Sequence, residues 1–354
     1  FLASAEPGVP TETVATFTRQ LSVMLGSGLP LLQALTFFAE SSTGHLAAVV
    51  DELANKVSSG FRLSAAMGQC PGVFNEVYVG LIELGETTSH LDEALEKLAE
   101  LLEKQVRLAK RLSSAMVYPA FLMAVCAAAI GVFLEYVLPT LVPLFTSFKM
   151  ELPLPTRILL MSRHLVWPSV FGVIATGLIW IWFKPVWHKA RRERARWARN
   201  IDRFLLRIPA IGKFVLQLAT APVLFALATM LETGLPLLNA LKRCEGVASN
   251  LEIAHRLEMA GLDLREGSTV VDALRAHAVL PSACIHLLSA GEETAQLAEM
   301  VAYSARFYEE EVDHSITQFM NLIEPIIMMF MGLVVGFIVL AAVLPTVEMI
   351  NHLG

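Results

Sequence analysis

From Thr13 onward apolar residues recur at helical spacing, with Phe17, Leu21, Met24 and Leu25 on one stripe. Gly28 can supply the left-handed turn that ends this helix, and Pro30 suits the first turn of the next, where its missing N–H costs nothing. Gly28-Leu29-Pro30 is therefore read as the corner of a helical hairpin. Helical periodicity continues through Leu46–Val57, is punctuated at Gly60 and Cys70-Pro71-Gly72, and resumes from about Asn75 to Leu84, with a stop expected at Gly85. Thr88 or Ser89 is placed to cap a helix in which Leu91, Leu95, Leu98 and Leu102 form one stripe, with Asp92 and Glu93 favourable in the first turn. That helix keeps a polar face and belongs in water. No alternating pattern competes, so the class is all-α.

The pattern then repeats. Leu21–Leu35 returns as Leu227–Leu241 with ten of fifteen positions identical at an offset of 206. The same offset relates Gly85-Glu86 to Gly291-Glu292, Pro119 to Pro325, and Val137-Leu-Pro-Thr140 to Val343-Leu-Pro-Thr346. Such register over more than a hundred residues marks a duplicated module, with a period far too long for a solenoid. Gly234 and Pro236 form the second corner, and Gly85 and Gly291 are read as further structural turns.

Three stretches are nearly free of charge. At about 1.5 Å per residue, 117–138 reaches about 33 Å, enough to cross a hydrocarbon core. Residues 165–183 carry Trp167, Trp180 and Trp182 near their ends, and 322–345 hold only Glu324. Lys104, Arg107, Lys110 and Arg111 precede the first stretch, and seven basic residues lie in 184–199, with few between the first two crossings. The positive-inside rule then places both copies in the cytoplasm and the C-terminus outside. The expected organisation is a loose arm (1–12), a cytoplasmic bundle (13–116), a crossing (117–138), a periplasmic linker (139–164), a crossing (165–183), a basic membrane-surface junction (184–199), a second bundle (200–321), a crossing (322–345) and a periplasmic tail (346–354). In each copy the last soluble helix leads straight into the membrane, a geometry suited to a rigid lever. Pro119 and Pro325 sit just inside, as candidate kinks.

Composition agrees with this division. The chain is 55% hydrophobic and 17% charged, with mean hydropathy +0.57, against about 25% charged for a soluble globular chain. Four scattered cysteines form no CxxC, so a disulfide framework or zinc site is not expected. Phe1-Leu-Ala-Ser-Ala-Glu-Pro-Gly lacks the basic start and long apolar core of a signal peptide. No Walker A loop, GxGxxG, HExxH or GxSxG occurs, so no catalytic residue, cofactor or metal is expected. Arg191, Arg192, Arg194 and Arg196, close behind a crossing, are read as an anchor to membrane lipid rather than a nucleic-acid patch. Gly332 and Gly336 make a GxxxG that permits close helix packing, within a protomer or between protomers. Glu324, one turn inside its apolar run, either snorkels to the cytoplasmic face or meets another helix or subunit. Glu86 and Glu292 are read as solvated carboxylates, with partner docking or cation binding as the sharper alternative.

Phe17-Thr-Arg-Gln-Leu21, the paired Gly-Leu-Pro corners, Gly85-Glu86, Tyr118-Pro119, Leu152-Pro-Leu-Pro-Thr156, Phe307-Tyr-Glu-Glu-Glu311 and Glu324-Pro325 resemble, over nearly the whole chain from Thr13, the type II secretion F / type IV pilus PilC family of inner-membrane platform proteins. The resemblance implies two cytoplasmic six-helix bundles of up-down type, three transmembrane helices, self-association and no catalysis. It also implies docking on a hexameric secretion or pilus ATPase, and contact with pilin or pseudopilin subunits and inner-membrane alignment proteins. The Phe-Tyr-Glu-Glu-Glu and Phe-Thr-Arg-Gln blocks lean towards pilus assembly, with the secretion branch as the alternative and a small oligomeric transporter as a remote third reading.

Overall fold

The computed structural model describes residues 9–137, 139–140 and 196–353, and every regular element among them is a helix. The first copy comprises α1 (Thr11–Gly26), α2 (Leu31–Ser41), α3 (His45–Ser58), α4 (Leu63–Gly68), α5 (Glu76–Thr88) and α6 (Leu91–Val132), with a π-helical turn over Phe133–Val137. After α7 (Arg196–Arg207), the second comprises α8 (Pro209–Glu232), α9 (Leu237–Cys244), α10 (Leu251–Arg265), α11 (Val270–Ala276), α12 (Ser282–Glu293) and α13 (Leu297–Leu353). The crossing expected at 165–183, Arg191, Arg192, Arg194 and nearly all of the 139–164 linker lie outside the described residues. The chain divides into two compact units: Phe1–Lys110 with Arg194–Ser315, and Arg111–Glu193 with Ile316–Gly354.

In the first unit the two corners share one geometry. Gly28 and Gly234 have φ of 87° and 89°. The Gly28 N–H reaches the Leu25 carbonyl at 2.8 Å and the Leu29 N–H reaches Met24 at 3.1 Å. Gly234 and Leu235 repeat these bonds to Leu231 and Met230 at 3.0 and 2.9 Å. This double bond satisfies orphan carbonyls at a helix end and requires a left-handed residue. Pro30 and Pro236 stand one residue earlier than expected. Each is the extended N-cap of its helix, its carbonyl accepting the first intrahelical bond from Ala34 or Ala240 at 3.0 Å.

Gly85 and Gly291 are not turns. Helices α5 and α12 run through them, and both glycines are buried. Their role is close helix approach: a Cβ at Gly85 would stand 2.6 Å from that of Ala94, and one at Gly291 2.8 Å from that of Met300. The turn falls later. Ser89 and Ala295 take up left-handed φ of 64° and 56°, and the N–H groups of His90 and Gln296 reach back to Gly85 and Gly291 at 3.0 and 2.8 Å. Neither Thr88 nor Ser89 caps α6, because Ser89 is spent on ending α5, and the His90 carbonyl opens the new helix instead.

The first copy packs around Phe17, Phe38, Phe74 and Tyr78, with the Phe17–Phe38 and Phe74–Tyr78 centroids each 4.7 Å apart. The fully buried Tyr78 hydroxyl lies 3.0 Å from Thr18 Oγ1, which itself donates to the Val14 carbonyl at 2.7 Å, so a buried polar tip is satisfied. The stripe expected on α6 is present, with Leu95, Leu98 and Leu102 buried.

The second unit presents an apolar surface. Val117, Phe121, Met123, Leu322, Met329, Phe330 and Leu333 are all exposed. Contiguous exposed apolar side chains on this scale mark contact with lipid or protein. Among the described residues two helical stretches are long and apolar enough to cross a membrane, Gly212–Glu232 and Leu297–Leu340. The first is largely buried inside the first unit and serves as core; in the second no residue of the apolar window is buried. Helices α6 and α13 pass through Pro119 and Pro325 without a break, and α13 continues to Leu353.

Candidate functional site

The residues singled out from the chain divide into two groups, one fastening the copies in the first unit and one in the apolar second unit. Glu86 and Glu292 belong to the first and are not solvated docking groups. Glu86 accepts from the backbone N–H of Leu63 at 2.6 Å and of Ser64 at 3.3 Å, and from the Ser64 hydroxyl. Glu292 accepts from Val270 and Val271 at 2.8 and 3.3 Å. Each carboxylate neutralises the exposed donors at the start of a short helix, α4 or α11, where the helix field favours negative charge. Both oxygens of each carboxylate are so engaged within its own copy.

The copies are joined by cations. The Arg243 side chain of α9 crosses α5, donating to the Glu83 carboxylate at 2.8 Å and to the Glu76 carbonyl at 3.1 Å. Gly80 makes room, since a Cβ there would lie 2.6 Å from Arg243 Cδ. Lys104 of α6 pairs with Glu309 of α13 at 3.0 Å, its ammonium 5.1 Å from the Phe225 ring centre. Lys97 lies 3.7 Å from Glu232. Lys97, Lys104, Phe225 and Glu232 rim a cleft of about 220 Å³ between α6, α8 and α13, lined also by Leu101, Ala228, Ala302 and Arg306. None of these pairings is visible in helical periodicity.

One comparison between the copies is informative. In the first, Arg19 of α1 makes a bidentate bond to Glu103 of α6 at 2.7 and 3.0 Å. Their counterparts at the repeat offset are Phe225 and Glu309. The second copy carries Phe225 where the first has Arg19, and Lys104 of the first supplies a cation to Glu309. The Arg19 hydrogen bond holds the Glu103 carboxyl below its usual range, and Glu103 raises Arg19 in return. Burial works to raise Glu252, but Arg203 and Arg256 together outweigh it and leave it lowered. Burial pushes the Cys284 thiol up to about 12 and also raises Cys244, which makes both unreactive at neutral pH.

In the second unit the Tyr118 hydroxyl stands 3.5 Å from Glu324 Oε1. The two residues are separated by 206 positions, so each occupies the other's place in the duplicated module. Glu324 is half-buried and its polar contact is to another helix of the same chain. The repeat offset was the signal that could have found this pair. Gly332 and Gly336 are exposed, and a Cβ at either would meet nothing within 4 Å. Arg196 opens α7. Among the described residues no group of three or more His, Cys, Asp or Glu is placed to hold a metal ion.

The described residues thus form a duplicated helical module whose last helices end in long exposed apolar stretches. The family described as type II secretion system (T2SS), protein F, matches residues 17–139 and 223–345, one match per copy, and the chain belongs to it. The chain is 30% identical over 357 residues to the type IV pilus assembly protein PilC of Pseudomonas aeruginosa, spanning 100% of this chain and 94% of that protein. It is 32% identical over 352 residues to the type II secretion system protein F of the same organism, spanning 98% and 85%. The type IV pilus assembly protein PilC of Thermus thermophilus is 30% identical over 355 residues, spanning 100% and 86%. Family membership and the apolar helices together point to a protein of the inner membrane.

Proposed function

We propose that this chain is the inner-membrane platform protein of a type IV pilus assembly machine, coupling a cytoplasmic hexameric ATPase to the insertion or extraction of pilin subunits. Two six-helix bundles, 13–116 and 200–321, face the cytoplasm. Crossings at 117–138, 165–183 and 322–345 leave the 139–164 linker and the 346–354 tail in the periplasm. The basic junction at 184–199, with Arg191, Arg192, Arg194 and Arg196, rests on the membrane surface. The platform performs no chemistry of its own; it works with the ATPase, pilins, inner-membrane alignment proteins and further copies of itself.

The observation that carries this reading is the build of α6 and α13. Each begins among buried leucine, alanine and valine side chains and ends in an exposed apolar stretch, once per copy. A helix of that kind transmits displacement along its axis better than a loop does. Near-full-length similarity to pilus assembly proteins supplies the machine.

The 32% identity to a type II secretion system protein F supports a second reading, a platform for pseudopilus assembly and protein export. Deleting the gene in its host separates the two. Loss of surface fibres with export intact supports the pilus; loss of exported protein with fibres intact supports secretion. Retention of both overturns the platform reading.

A further inference from the structure

We propose that helix α7 is a membrane-surface helix, its Trp197, Ile201 and Phe204 stripe seated at the headgroup–acyl boundary of an anionic bilayer. The proposal deepens the basic-junction reading and rests on 165–183 being a crossing.

Ile201 and Phe204 are 42% and 64% exposed, and Trp197, at 44%, shares their stripe at i, i+4 and i+7 spacing. The opposite face of α7 is committed to the protein. Ala198 and Asp202 are buried, the Asp202 carboxylate accepts the Leu251 N–H at 2.8 Å, and Arg203 meets Glu252 at 3.1 Å. The helix is thus fixed on α10 by one face, while the large apolar side chains of Ile201 and Phe204 stay exposed. A water-facing helix places polar residues there. Arg203 remains 41% exposed, and Arg207 and Lys213 are exposed beyond it. The seven basic residues of 184–199 precede or open the helix, immediately after the apolar segment that ends at Phe183. Arginines flanking a Trp–Ile–Phe stripe are the chemistry of a helix lying in the plane of an anionic lipid surface, where each cation adds to the attraction. This charge and the chain's emergence from an apolar segment favour lipid over a protein occupant.

The test uses the full chain in proteoliposomes, with Cys70→Ser removing the one cysteine that is not buried. Ile201→Cys and Phe204→Cys, both surface positions, are labelled with an environment-sensitive fluorophore. Met329→Cys reports on the third crossing and Ser268→Cys on water. Quenchers are lipids carrying nitroxides near the headgroup or near the chain end. The expected result is several-fold stronger quenching at 201 and 204 than at 268, greatest with the headgroup-proximal nitroxide, and weaker when zwitterionic lipid replaces anionic lipid. If 329 is quenched by the deep nitroxide while 201 and 204 match 268, the inference is overturned and the crossing stands. If 329 is also unquenched, the membrane reading beneath it fails. Quenching at 201 and 204 that is equal in both lipids overturns the role of the arginines. Protection of 201 and 204 only on adding pilin assigns the stripe to a protein and overturns the proposal.

Discussion

Ala295 and Ser89 hold left-handed backbone without being glycine, and at equivalent positions of the two copies. Left-handed φ costs an L-residue about 1–2 kcal/mol, partly offset in a glycine variant by the greater freedom of its unfolded chain. Ala295 is exposed and leaves no core contact behind, so Ala295→Gly is expected to stabilise the chain by up to about 1 kcal/mol, read as a raised thermal midpoint. Gly85 is the reverse case, with ordinary helical backbone and no space. Gly85→Ala drives a methyl into Ala94 and the α6 backbone and is expected to cost about 1–3 kcal/mol in denaturant unfolding. Titration separates Arg19 and Glu103 from the rest. The folded pKa of Glu103 lies below its ordinary 4.5, so its contribution is present above that pH and is lost as pH falls through the lowered value. Glu103→Gln is therefore expected to be less stable than the parent near neutrality and to converge with it in acid. The difference at pH 7 should be no more than about 1 kcal/mol, because both groups are a third exposed.

Among the elements, the corners between α1 and α2 and between α8 and α9 were legible in the chain because their chemistry is local: a glycine for φ, a proline for the next helix, and the same block repeated. Gly28→Ala meets no neighbour and is expected to lose about 1–2 kcal/mol through backbone strain alone, as is Gly234→Ala, with additive midpoint shifts in the double variant. Gly85 and Gly291 were misread for a physical reason. A glycine that ends a helix and one that lets another helix come close look alike in sequence, and only the position of Ala94 or Met300 tells them apart. Glu86 and Glu292 were misplaced on the surface because their partners are backbone N–H groups about twenty residues away, which leave no side-chain signature. The helical class, the duplication and the last long helix of each copy were legible, since period and identity report them directly. The Arg243, Lys104 and Tyr118 contacts were not, because they depend on how the copies meet.

At the scale of the molecule, the Lys104–Glu309 and Arg243–Glu83 pairs join the two copies within the first unit. Lys104→Glu is expected to weaken it and Glu309→Lys to do likewise, while the double reversal restores the pair; a double-mutant cycle should return a coupling of about 0.5–1 kcal/mol. Hydrogen exchange at α5 should rise in Arg243→Ala, which empties the groove over Gly80. The unlike placement of the cation in the two copies has a consequence for exchanging them. A chain built from two identical first modules would carry an arginine where Phe225 now lies beneath the ammonium of Lys104. The copies complement one another at this pair, so a chain recombined between them is expected to be less stable even though their corners are nearly the same.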